Sequence, residues 1–347
     1  MLLESLHLLK AIVGATYDAH VSGRTPVRAA RFWDRTLTIP CAITTVGTMS
    51  IPKNVTKAQA TGNDFVLYVD EDGQYDPTAR EVEDICDRHF GIGADGVIRV
   101  THPQYVRDLS AEQVEALQQE GAEWFMDYRN ADGSLAQMCG NGTRATTRFA
   151  MDQKLVTLKD GEEFALGTRS GVKRIASLGQ VQGLGEHVFR VNMGAWKIGE
   201  LDQYTVTVNH ASGKAQGTFV DMGNPHVVAV IEDAYSSLPV LADLDLTQPP
   251  MVDPEIDEGQ NVEFVRIDEI DSREDHGEAS MRVFERGCGE TLSCGTGLCA
   301  TAIVLRAKTG VDHWNVTVKG GTLRIDVTDN TVLLTGDAQL VADVAMR

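Results

Sequence analysis

Apolar positions along most of the chain recur with period two, in short runs bounded by turn residues. "HVFRVNMG" (187–194), "YTVTVNH" (204–210), "NVEFVRI" (261–267), "WNVTVKGGTLRIDV" (314–327) and "TVLLTG" (331–336) all read as strands. Three stretches break this rhythm. "LSAEQVEALQQEGAEW" (109–124) has helical spacing, and Ser110 with Gln113 forms a capping box at its start. "GTGLCATAIVLRAKTG" (295–310) is apolar on nearly all sides until Arg306 and is closed by Gly310, the pattern of a helix surrounded by protein. "GNGTRATTRFAMDQKL" (140–155) is more polar and of the same length. The last two each follow a cysteine, Cys294 and Cys139.

The pattern repeats. "TGNDFVLYVDEDG" (61–73) lies over "MGNPHVVAVIEDA" (222–234) at an offset of 161, each a Gly-Asn turn leading into a buried strand that ends in acids. "MDYRNADGS" (126–134) lies over "RVFERGCGE" (282–290) at 156, and "MCGNGTRA" over "SCGTGLCA" at 155. Three blocks in one order at nearly one offset imply an internal duplication. The expected fold class is therefore α/β of the α+β type. Two pseudo-symmetric lobes each wrap a curved mixed sheet or barrel around a central helix, and the active site lies between them. The lobes are expected at 49–183 plus 336–347, and at 184–335.

Composition narrows the function. A chain of 347 residues with a formal charge of −19 is repelled by nucleic acid and by anionic membranes, and a small-molecule substrate is easier to accommodate. No run of about 18 apolar residues is present to span a bilayer. Residues 1–48 differ from the rest: five basic residues against three acidic ones make this piece +2. It also lacks the basic start and small-residue cleavage site of a signal peptide. It reads as an extension outside the main fold, disordered or a mis-assigned start, with Met49 a natural beginning. Six cysteines scattered without a leader read as reduced thiols in a cytoplasm.

The chemistry is concentrated at Cys139 and Cys294. A helix N-terminus lowers a thiol's pKa, and Gly140, Gly142, Gly295 and Gly297 leave bare N–H groups against which a carboxylate can sit. If both helix ends face one cavity, one thiolate removes the α-proton of a bound amino acid while the opposing thiol protonates the other face. The charge that develops on the carboxylate meets donors already aimed at it. This scheme needs no cofactor. It also predicts that mild oxidation inactivates reversibly through a disulfide. Cys41, Cys86 and Cys299 read as packing. Cys288 is either incidental or a resolving thiol. No cysteine set has the two-residue spacing of zinc ligands, so no metal is expected. "GIGADG" (91–96) fits a dinucleotide pattern but follows a charged run rather than a strand, so it is set aside.

Taken together, "GNDF", "RNADGS", "MCGNGTRA", "GNPHVV", "GQNVEFV" and "ERGCGETLSCGTG" resemble the diaminopimelate epimerase family from about Met49 to the C-terminus. The resemblance implies cofactor-independent interconversion of LL- and meso-diaminopimelate on the route to lysine and peptidoglycan, and a cytoplasmic homodimer. It makes Cys139 and Cys294 the acid–base pair. Gly140 with Asn141, and Gly295 with Thr296, would hold the reacting carboxylate. Asn63, Asn130, Asn224, Asn261, Glu285 and Arg286 would bind substrate, mostly at its distal end, where an ammonium and a carboxylate suit amides, an acid and a guanidinium. His226 either orients the cysteine chemistry or packs.

Two departures stand out: Gly96 replaces a glutamine common in the family, removing a polar contact or moving it elsewhere, and 101–124 looks like an insertion. Two rivals remain. One is a proline or hydroxyproline racemase of the same fold, against which the distal-binding set argues. The other is an inactive binding protein, which would need only one cysteine.

Overall fold

The computed structural model describes residues 50–347. The expected extension 1–48 and Cys41 lie outside the described residues. The fold is mixed and sheet-dominated, with four α-helices among the described residues.

In chain order, β1 (Asn54–Ala60), β2 (Asn63–Asp70), α1 (Ala79–Cys86), β3 (Gly96–Thr101), α2 (Ala111–Gln119) and β4 (Trp124–Asn130) lead to α3 (Gly140–Asp152). Then come β5 (Glu163–Thr168), β6 (Gly171–Val181), β7 (Gly185–Gly194), β8 (Lys197–Ile198), β9 (Tyr204–Thr207), β10 (Ala215–Asp221) and β11 (Pro225–Val230). β12 (Met251–Asp253), β13 (Asn261–Asp271), β14 (His276–Glu285) and β15 (Gly289–Thr291) precede α4 (Gly295–Thr309), and β16 (His313–Val318), β17 (Gly321–Val327), β18 (Val332–Asp337) and β19 (Gln339–Ala345) close the chain.

The strand pairings show the duplication. From β1 to β7, successive neighbours pair antiparallel, parallel, antiparallel, parallel, antiparallel and antiparallel. The series β10, β11, β13, β14, β16, β17, β18 repeats that sequence of pairings. In each series the parallel pair that follows the helix (β4 with β5, β14 with β16) is a strand–helix–strand crossover, so α3 and α4 occupy equivalent places. The two series meet where β7 pairs with its counterpart β18, and the last strand, β19, returns to pair with β1.

The helices explain themselves locally. α4 buries Gly295 and Gly297 through Leu305, and it ends at Gly310, whose φ of 80° only glycine adopts without strain. α2 starts at the Ser110–Gln113 capping box, as its sequence predicts. α1 is an element the hydrophobic pattern passes over, although Thr78 and Glu81 form a second capping box there. "GIGADG" is the loop that follows α1 and enters β3, with no strand before it, which removes the dinucleotide reading. The expected insertion is the connection from β3 to β4. Leu117 packs there on Val106, Ala122 and Phe125, and Arg99, buried between Asp70 and Asp127, donates to the Tyr105 carbonyl. No helix among the described residues is long and apolar enough to cross a membrane.

Candidate active site

Cys139 and Cys294 are the N-cap residues of α3 and α4, both in extended backbone conformation. The two helix ends touch. A methyl group on Gly295 would be in van der Waals contact with the Gly140 backbone, 3.4 Å from its Cα and 3.6 Å from its N. Asn141 ties them together: its Nδ2 donates to the Ser293 carbonyl at 3.3 Å and lies 3.4 Å from the Ser293 hydroxyl. Leu334 and Met193 floor the junction beside Gly140.

Around Cys139, the Sγ accepts from the Gly142 N–H at 3.3 Å and approaches Asn63 Oδ1 at 3.5 Å. Asn63 is itself fixed by its Nδ2 donating to Asp95 at 2.6 Å. Around Cys294, Thr296 Oγ1 lies 3.6 Å from Sγ and accepts from Asn224 Nδ2 at 3.5 Å. Asn224 Oδ1 meets His226 Nε2 at 3.1 Å, and His226 Nδ1 meets Glu263 Oε1 at 2.7 Å, the imidazole and the carboxylate both fully buried. A chain of contacts thus runs from Glu263 through His226, Asn224 and Thr296 to Cys294. Glu263 Oε2 has no partner among the described residues. Glu285 accepts from Thr291 Oγ1. Asn261 bridges the Pro225 carbonyl (3.1 Å) and the Arg286 N–H (2.9 Å), and the exposed Arg286 guanidinium donates to the Glu258 carbonyl at 2.7 Å.

Most of the expected residues are therefore joined by contacts around the two helix ends. Asn130, Asn261 and Arg286 are not: the Asn130 side chain donates to Ser134 within the turn after β4, and Asn261 and Arg286 contact each other, Pro225 and Glu258. Cys86 and Cys299 are buried packing residues, and Cys288 is exposed on the turn between β14 and β15. Among the described residues no group of side chains forms a metal-binding cluster.

The thiols differ from expectation in their ionisation. Burial pushes Cys139 up to about 11, against only partial compensation from the Gly142 N–H, with the Glu285 charge adding to the rise. Burial, then the Glu285 and Glu263 carboxylates, pushes Cys294 well above the ordinary thiol value. The helix N-termini favour the thiolate, but desolvation and two nearby acids outweigh them. Both groups rest as neutral thiols. Glu285 is also pushed up, by burial first.

Sequence reasoning missed Arg144. It is fully buried one turn into α3, and its Nη2 donates to Asn141 Oδ1 and Thr61 Oγ1, each at 2.9 Å. It orients the amide that joins the helix ends. The signal was available: Arg144 sits four residues after Gly140, on the same face of the helix.

A family model described as diaminopimelate epimerase matches residues 55–198 and 218–341. A diaminopimelate epimerase of Corynebacterium glutamicum (strain R) is 39% identical over 288 residues, covering 82% of this chain and 95% of that protein. One of Thermobifida fusca (strain YX) is 37% identical over 293 residues, covering 84% and 97%. The chain belongs to the diaminopimelate epimerase family. Its fold extends beyond that family. A probable proline racemase from Agrobacterium radiobacter K84 superposes with a TM-score of 0.56 at 14% identity, covering 85% of this chain and 92% of that one. A Bacillus anthracis phenazine biosynthesis protein of the PhzF family does so with 0.54 at 15%, covering 84% and 97%. These distant likenesses concern the two-lobed architecture alone.

Proposed function

We infer that the chain epimerises diaminopimelate between its LL and meso forms by two-base proton transfer, with Cys139 and Cys294 as the bases. The observation that carries this reading is that the two cysteine-capped helix ends meet at Gly140 and Gly295. A carboxylate seated there takes backbone N–H groups from both helices, with a sulfur on either side of its α-carbon. One sulfur, as thiolate, takes the α-proton, and the C–H electron pair passes into the carboxylate. The other sulfur gives its proton to the opposite face, so the stereocentre inverts and the protonation states of the sulfurs exchange. Because both thiols rest protonated, the thiolate forms in the complex, where the substrate ammonium supplies the counter-charge that the acidic site lacks.

In this proposal Gly140, Asn141, Gly295 and Thr296 hold the reacting carboxylate. Asn63, Asn130, Asn224, Asn261, Glu285 and Arg286 bind the rest of the substrate, with Arg286 on the distal carboxylate. His226 positions Asn224 and, through it, Thr296. Lobes at 49–183 with 336–347 and at 184–335, a homodimer and a cytoplasmic location belong to the same proposal. The β1–β19 pairing supports the assignment of the C-terminal segment, although β7, just past residue 183, packs on α3. Sedimentation tests the dimer.

The activity is tested by offering LL-diaminopimelate and L-proline in deuterated water and following solvent deuterium into each α-position. Exchange into diaminopimelate supports the reading, and exchange into proline alone overturns it.

A further inference from the structure

Gly96 opens β3 one residue after Asp95, the acid that holds Asn63 beside Cys139, and as a glycine it leaves the space of a side chain free there. The structure shows what occupies that space. Gly96 pairs with Phe65 of β2 on one side and with Asn130 of β4 on the other, and Ile98, two residues on, pairs with Tyr128. These positions share the sheet face that packs on α3: a methyl group on Gly142, in the first turn of α3, would lie 3.4 Å from Ile98 Cδ1 and 3.5 Å from Met126 Sδ. The Tyr128 ring reaches across Gly96. A methyl group at position 96 would sit 2.5 Å from Tyr128 Cε2 and 2.4 Å from the Arg129 carbonyl oxygen. On the far side the ring meets Phe65 edge-on, with centroids 5.6 Å apart at 82°. With the ring on one side and the Arg129 carbonyl on the other, position 96 has room only for glycine.

The ring is buried, and no hydrogen bond among the described residues engages its hydroxyl, which is also not among the buried polar atoms left unpartnered. Burial raises the phenol well above its ordinary value, and the ionisable groups that act on it next are Cys139, Asp95, Glu285 and Cys288. The hydroxyl is therefore neutral, and the ring that carries it leans over Gly96 toward the end of the sheet where Asn63, two residues before Phe65, meets the Cys139 sulfur at 3.5 Å.

We propose that Tyr128 is a substrate-positioning residue whose hydroxyl, crossing Gly96 toward Cys139, accepts a hydrogen bond from an ammonium group of the substrate. The acidic surroundings draw a cation and disfavour a carboxylate there. This deepens the epimerase reading and rests on it. It gives the space left free at Gly96 to the Tyr128 ring and its hydroxyl.

Tyr128→Phe in the full-length chain removes the oxygen and keeps the ring over Gly96. Deuterium exchange into LL-diaminopimelate at varied substrate concentration should show KM raised about five- to tenfold, as for loss of one hydrogen bond to a charged group, with kcat within about twofold. The thermal midpoint should be unchanged, since the hydroxyl has no partner among the described residues. An unaltered KM would make Tyr128 a filler of the Gly96 space and overturn the proposal. A fall in kcat alone would do the same, by assigning the phenol to the thiol and not to bound substrate. Absence of exchange in the wild-type chain would sink the activity reading, a separate outcome.

Discussion

The protonated resting state of the thiol pair makes a measurable prediction. Cys139, the more accessible of the two, is raised from 9.0 to about 11. Only a thiolate is alkylated, so at any pH below 9 Cys139 presents about a hundredfold less reactive sulfur than an ordinary thiol. The assay is the rate of activity loss with iodoacetamide between about pH 6.5 and 10.5, in a Cys288→Ala background that removes the exposed thiol. The rate should rise about tenfold for each pH unit across this range without levelling. A profile that levels below about pH 8.5 would refute the reasoning, since it would mean that the helix end overcomes desolvation and the Glu285 charge. The same proton binding affects stability. A group whose pKa is raised on folding stabilises fully below its unfolded value and loses that contribution as pH climbs through the folded one. Cys139 should therefore withdraw up to about 3 kcal/mol between pH 9 and 11. It also follows that peroxide acts slowly on the resting enzyme, against the ready disulfide formation that helix-end thiols would suggest.

Cys139→Ala and Cys294→Ala should each abolish epimerisation, and near-normal turnover by either in the deuterium assay would defeat the two-base scheme. Glu263→Gln places an amide against buried His226 and should lower stability by about 2 kcal/mol in denaturant titration, with a fall in kcat if the contact chain to Thr296 positions Cys294. Arg144→Lys keeps the charge but loses the fork that holds Asn141 and Thr61, so KM should rise several-fold, about 1 kcal/mol of binding. Gly277→Ala drives a methyl group to 2.4 Å from the Trp314 ring, which is fully buried, and should lower stability by about 1–3 kcal/mol in thermal melts while the site is untouched.

The parts of the fold that repeat were legible because the same physical requirement appears twice. Gly-Asn turns precede β2 and β11, and cysteine N-caps begin α3 and α4, so each copy corroborates the other. α1 was not, because its eight residues bury only Val82, Ile85 and Cys86, too few for a hydrophobic period, and only the cap at Thr78 announces it. In the site, the thiols and their glycines could be read directly, since backbone donors at a helix start follow from local sequence. Their ionisation could not: it is set first by burial in the folded site and then, at Cys294, by Glu285 and Glu263, whose approach depends on β13 and β14 lying side by side. The role of Tyr128, and the Thr61 half of the role of Arg144, were hidden for a related reason. Each depends on a contact distant in sequence, Thr61 for Arg144 and Gly96 for Tyr128.

The C-terminal strand lies along β1, and the Met346 N–H donates to the Lys53 carbonyl at 2.8 Å, so the two ends of the described chain are neighbours. Joining Arg347 to Ser50 through a short flexible linker and opening the exposed β6–β7 hairpin at Gly183 would leave every strand pairing intact. In such a circular permutant Cys294 precedes Cys139, yet each sulfur keeps its helix and its neighbour. Element order is thus free to vary while the meeting of two helix starts is not, and a permutant that retains turnover would show which of the two this chemistry requires.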